Sequence, residues 1–134
     1  QTERLLTGAG GRQFIVDFAA QWLELDQIDF TTPDSKLFPE FDSIVQQSML
    51  DETHATLAAM LQENQSVTNL IDSKEIYLNS RLARFYDIEN VTGDELRRVE
   101  LQSGDHRGGV LTQGAILKVS ANGSNTSPVI RGVW

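Results

Sequence analysis

The stretch from Glu40 to Asn64 constrains the fold most. Phe41, Ile44, Val45, Met49, Leu57, Met60 and Leu61 fall along one stripe of a helix, so the spacing predicts one long helix over this range. Pro33 and Pro39 bracket a turn before it, because the residue preceding a proline is biased away from helix.

Other helical patterns flank it. Phe14, Phe18, Trp22 and Leu25 recur at spacings of four, four and three, which predicts a helix over about Thr2 to Leu25 with these residues, Trp22 included, facing the core. Gly8, Gly10 and Gly11 weaken its start, so a break is expected there, with 1–7 as a separate short helix. Asp26 to Pro33 reads as a connector that tucks Ile28 and Phe30 onto the core. Ser66 is an N-cap for a short turn through Val67 and Leu70. Asp72 or Ser73 is placed to cap a further helix carrying Leu78, Leu82, Phe85 and Tyr86. Leu96, Val99 and Leu101 are separated by polar residues and fit a short strand or an extended arm. Val110, Leu111, Ala115 and Leu117 predict a helix after a glycine pair. Thr126 or Ser127, followed by Pro128 at the first helical position, starts the last helix. The expected fold is mostly α, an irregular bundle of about five helices with at most one small strand pair.

Composition narrows the partners. With 19 acidic and 11 basic residues the net charge is -8, opposite to the positive field that nucleic acid or an anionic lipid surface requires. There is no cysteine, hence no disulfide, thiolate metal site or Cys-x-x-Cys-His haem attachment in this chain. No apolar run approaches the ~20 residues of a membrane span. No cofactor is expected within the chain. The 134 residues suffice for one domain with a core. The chain begins at Gln1 and ends at Trp134, just after a helix start, and reads as a piece of a longer protein.

The chemistry-bearing residues gather near the end. In His106-Arg107-Gly108-Gly109, a glycine pair ahead of a helix exposes backbone N–H groups and Arg107 adds a forked cation, a combination able to hold a carboxylate, phosphate or sugar acid. The structural alternative is a tight turn in which glycine supplies a positive φ and Arg107 bonds carbonyls or an internal acid. Thr126-Ser127-Pro128 and Arg131 form the second group. Arg131 lies in the first turn of a helix, where its charge opposes the helix dipole, so a carboxylate partner is expected, with Glu52 or Asp51 as candidates. His54 shares a helix face with Asp51, but no metal-ligand spacing accompanies it. Asp87, Glu89, Asn90, Asp94 and Glu95 surround a loop that lacks the alternating spacing of a calcium site; no metal site is expected.

Several phrases, in order, resemble one family: Phe18-Ala19-Ala20-Gln21-Trp22-Leu23; Phe38-Pro39-Glu40-Phe41-Asp42 with Met49-Leu50-Asp51-Glu52-Thr53; Leu78-Asn79-Ser80-Arg81-Leu82-Ala83-Arg84-Phe85-Tyr86; Arg107-Gly108-Gly109-Val110-Leu111-Thr112; and Thr126-Ser127-Pro128-Val129-Ile130-Arg131-Gly132. The chain is similar to an adjacent pair of uncharacterised domains in large proteins of planctomycetes and myxobacteria. The resemblance places the end of one domain at about 1–104 and the start of the next at 105–134. It implies an exported, periplasmic or cell-envelope parent whose other domains are its partners and carry haem c. It departs at Ser80, where the family phrase has glutamate, and at Asp87, where glycine follows the tyrosine. The resemblance implies no reaction. The expected role is a helical scaffold or interaction module, not catalytic alone. Its alternatives are part of a cytochrome-coupled oxidoreductase directed at carbohydrate, and a module for a small anion or sugar.

Overall fold

The computed structural model describes residues 8–102, 104–125 and 127–132, leaving out the side chains of 9, 130 and 131. Among them are five α-helices, three short 3₁₀ segments and one antiparallel strand pair, the mostly helical architecture expected from the sequence. The helices are α1 (Ala9–Trp22), α2 (Ser43–Gln62), α3 (Ser80–Phe85), α4 (Gly114–Val119) and α5 (Pro128–Gly132). Strand β1 (Glu75–Leu78) pairs with β2 (Arg97–Glu100), Ile76 opposite Val99 and Leu78 opposite Arg97.

Helix α2 is the centre, in contact with α1, α3, α4 and β1. Its start is set by Asp42, whose carboxylate accepts from the Val45 N–H at 2.8 Å. That bond, helped by Arg81 at 2.8 Å, holds the Asp42 carboxyl below its ordinary range. Asn79 caps α3 in the same way, accepting from the Leu82 N–H at 2.9 Å. Ser66 caps the Val67–Leu70 turn, as its sequence predicts. After the C-caps of α1, α2 and α3, the chain leaves through a left-handed residue: Glu24 (φ 53), Asn64 (φ 50) and Asp87 (φ 59). Asp87 thus holds a left-handed conformation that glycine adopts most readily.

Some expectations are corrected. Gly8 is the N-cap of α1, and Gly10 and Gly11 lie within its first turn; the predicted helix at 1–7 lies outside the described residues. Phe14, Phe18 and Trp22 do not face the core. They are 52%, 44% and 47% exposed; Phe14 and Phe18 stack at 5.8 Å and Phe18 and Trp22 meet tilted at 5.3 Å between ring centroids. The buried stripe is one residue on, Ile15, Ala19 and Leu23, on the helix that packs against α2. Ile28 is buried as expected, but Phe30 is 85% exposed. Leu78 belongs to β1 rather than to a helix; Ser73 caps the turn into that strand, with its hydroxyl accepting from the Glu75 N–H at 3.1 Å. The segment after the glycine pair divides into a 3₁₀ turn, Val110–Thr112, and α4.

Ile15, Leu23, Leu25, Val45, Met49, Leu57, Ile76, Leu78, Leu82, Val110 and Ile116 form one continuous core. No helix among the described residues is long and apolar enough to cross a membrane.

Candidate functional site

The His106-Arg107-Gly108-Gly109 segment closes on itself through Thr112. The Gly108 N–H donates to the Thr112 hydroxyl at 3.0 Å, that hydroxyl donates to the Gly109 carbonyl at 2.9 Å, and Arg107 Nη1 donates to the Thr112 carbonyl at 3.0 Å. The glycines answer to close backbone approach. A Cβ on Gly109 (φ +75) would lie 2.4 Å from the Ile71 carbonyl oxygen, and one on Gly108 would lie 2.9 Å from that of Ser73. His106 is exposed and Arg107 half-buried. Ser127 donates its N–H to the Ser120 carbonyl at 3.2 Å, and Pro128 opens α5 as predicted. Thr126 and the Arg131 side chain lie outside the described residues. Asp51 accepts from Gln47 at 2.9 Å and Glu52 from Tyr86; the expected pairing of either acid with Arg131 lies outside the described residues.

Glu52 faces inward from the middle of α2 and is fully buried. Its Oε2 accepts from the Tyr86 hydroxyl at 2.6 Å, and that hydroxyl accepts from the Gly114 N–H at 2.7 Å. Oε1 is buried with no hydrogen-bond partner among the described residues. An ionised carboxylate is costly in such a setting. Burial therefore raises the Glu52 carboxyl to about 8, against the opposing pull of the Tyr86 hydroxyl, Arg107 and the Gly114 N–H. Burial, then the neighbouring Glu52, pushes the Tyr86 phenol well above its ordinary value. Arg107 lies over the tyrosine ring, its guanidinium carbon 3.6 Å from the ring centroid. A Cβ on Gly114 would come within 2.5 Å of the Tyr86 oxygen and 2.8 Å of Met49 Cγ, so only glycine fits at the start of α4.

A second buried chain runs beside the first. Thr53 donates to Gln113 Oε1 at 2.7 Å, and Gln113 Nε2 donates to the Thr56 hydroxyl at 2.9 Å. Lys118, on α4, gives its ammonium to the Ile28 carbonyl and, at 2.7 Å, to that of Thr31. Burial lowers the Lys118 pKa, with Asp29 acting in the opposite direction.

The sequence singles out Arg107 but gives no sign of the Glu52–Tyr86 bond, nor of Gln113 and Lys118 as polar core. The signal for the burial of Glu52 was present: Val45, Ser48, Met49, Glu52, Thr53, Thr56 and Leu57 are related by the i, i+3 and i+4 spacings of one helix face and are buried throughout. Counting only apolar residues hid it. His54 is half-buried, and burial lowers its pKa against the opposing Asp51. Among the described residues no group of three or more His, Asp or Glu is arranged to hold a metal ion.

The PSD4 family, described as a protein of unknown function (DUF1592), has a profile that matches residues 1–88. The chain belongs to this family. No curated protein and no solved structure matches it. The PSD4 match contains Glu52, Thr53, Thr56 and Tyr86, whereas Arg107, Gln113, Gly114 and Lys118 lie beyond it. Both buried polar chains therefore join the PSD4 part to the segment that follows.

Proposed function

We propose that this chain is a helical scaffold and interaction unit, not catalytic alone, in which the end of one family domain is locked to the start of the next at about 104/105. The observation that carries this reading is the Glu52–Tyr86–Gly114 chain. It spends three polar groups from three elements on one another inside the core. Arg107 and the glycine pair serve that lock: Arg107 covers Tyr86, while Gly108 and Gly109 let the backbone reach Ile71 and Ser73.

The wider setting rests on the resemblance of the ordered phrases. In this reading the unit belongs to a large exported protein of the periplasm or cell envelope, whose other domains carry haem c and are its partners. A rigid spacer between such domains needs its two halves to unfold together.

Gly114→Ala tests the lock. The added methyl overlaps the Tyr86 oxygen and Met49, so the thermal midpoint of the whole chain is expected to fall in one cooperative transition. An unchanged midpoint, or a transition that splits in two, contradicts the proposal.

A further inference from the structure

A cleft of about 540 Å³ opens between the strap carrying Pro33, Leu37, Phe38 and Phe41 and the face formed by α4 and the loop after it. That volume is in the range of small-molecule sites. The lock between the two segments does not require it. Its walls are apolar: Leu37, Phe38, Phe41, Phe85 and Leu117. Arg107 and Lys118 also line it, and Glu40 is the only acid among the described lining residues.

Neither cation forms an ion pair among the described residues. Among the described residues Arg107 meets one hydrogen-bond acceptor, the Thr112 carbonyl. Glu52 is engaged by the Tyr86 hydroxyl at 2.6 Å rather than by a hydrogen bond from Arg107. Lys118 meets backbone carbonyls and, at 5.6 Å, the Phe41 ring. In a chain of net charge -8, an apolar cleft with a cationic lining selects an anion that also has an apolar body. A bare inorganic anion would leave Leu37, Phe38, Phe41 and Phe85 facing water.

We propose that this cleft binds a small organic carboxylate, its acid group on Arg107 and Lys118 and its aromatic or aliphatic body against Leu37, Phe38, Phe41 and Phe85. Charge-assisted bonds from a planar guanidinium suit a carboxylate, and the aromatic walls supply area for the body.

The test is titration of the 134-residue chain with 2-naphthoate, 2-naphthylmethanol and inorganic phosphate, read by calorimetry and by amide shifts of Leu117 and Lys118. Naphthoate is expected to shift those amides and to bind about tenfold or more tighter than the alcohol, with phosphate weaker still. Arg107→Met is expected to remove the preference for the carboxylate. Should that variant fail to fold, Leu37→Glu decides. Leu37 is 59% exposed at the cleft mouth, so the fold tolerates the change while the new charge repels the ligand. No shift at the cleft, equal binding of the alcohol, phosphate binding as tight as naphthoate, or unweakened binding by Leu37→Glu overturns the proposal.

Discussion

The Tyr86 hydroxyl stands 2.6 Å from Glu52 Oε2 and donates its proton there, so the acid in the middle of α2 is held by a residue just past the end of α3. The same oxygen receives the Gly114 N–H. A single tyrosine thus links the central helix to the segment that begins α4, and most of the expectations below depend on that linkage.

Removing the hydroxyl leaves two buried polar groups without their partner. Tyr86→Phe is expected to destabilise the chain by roughly 2–4 kcal/mol, since each orphaned buried group costs about 1–3 kcal/mol. Urea unfolding measures it through the midpoint at unchanged slope. A loss below the cost of one exposed contact would show the bond to be incidental.

Glu52 imposes a pH dependence of definite sign. Its carboxyl titrates at about 8 in the fold and near 4.5 in the unfolded chain. Below the unfolded value both states are protonated and the stability it allows is fully present. As pH rises from there toward the folded value, only the unfolded state ionises, and stability falls by about 1.4 kcal/mol per pH unit before levelling off. Glu52→Gln removes the slope. Urea midpoints at pH 5 and pH 8 are expected to differ by less in the variant than in the wild type; parallel changes would refute the buried neutral acid.

Glycine substitutions separate backbone need from helix propensity. Gly109→Ala meets the Ile71 carbonyl at 2.4 Å with φ at +75 and is expected to cost at least about 2 kcal/mol. Gly10→Ala, in the first turn of α1 with nothing within 4 Å, is expected to stabilise by up to about 1 kcal/mol. Thermal midpoints moving in opposite directions check both.

Much of the architecture was legible because it is local. The long helix, the Ser66 turn, the Pro128 start and the glycine pair ahead of α4 depend on residues within a few positions of each other. Strand β1 was not legible, because Glu75–Leu78 becomes a strand by pairing with residues 97–100, a partner that no local window contains. The face of α1 was ambiguous for another reason. Phe14, Phe18, Trp22 and Ile15, Ala19, Leu23 have the same spacing one residue apart, and the larger rings outweigh the smaller residues in any hydrophobic count. The fold buries the smaller set. At the candidate site, Arg107, Gly108 and Gly109 were visible as a motif. Their task was not, since it depends on Tyr86 and Glu52 from elements far away in sequence.

That assignment of the α1 face has its own consequence. Ile15→Ala is expected to cost roughly 2–4 kcal/mol through lost burial and the cavity left behind, whereas Phe18→Ala, on the exposed stack, is expected to cost under about 1 kcal/mol. Chemical denaturation of the two variants compares them directly, and the reverse ranking would restore the aromatic residues to the core.

The central claim is that the segment after the PSD4 match folds as one unit with it, and native-state hydrogen exchange tests this most directly. The amides of Leu117 and Ser120, bonded to the carbonyls of Gln113 and Ile116, are to be compared with those of Thr53 and Thr56 in α2. The same opening free energy is expected in both helices, lowered equally by Tyr86→Phe. If α4 exchanges through a smaller opening while α2 keeps its full protection, and Tyr86→Phe leaves α2 unchanged, the two segments are not locked and the account is contradicted.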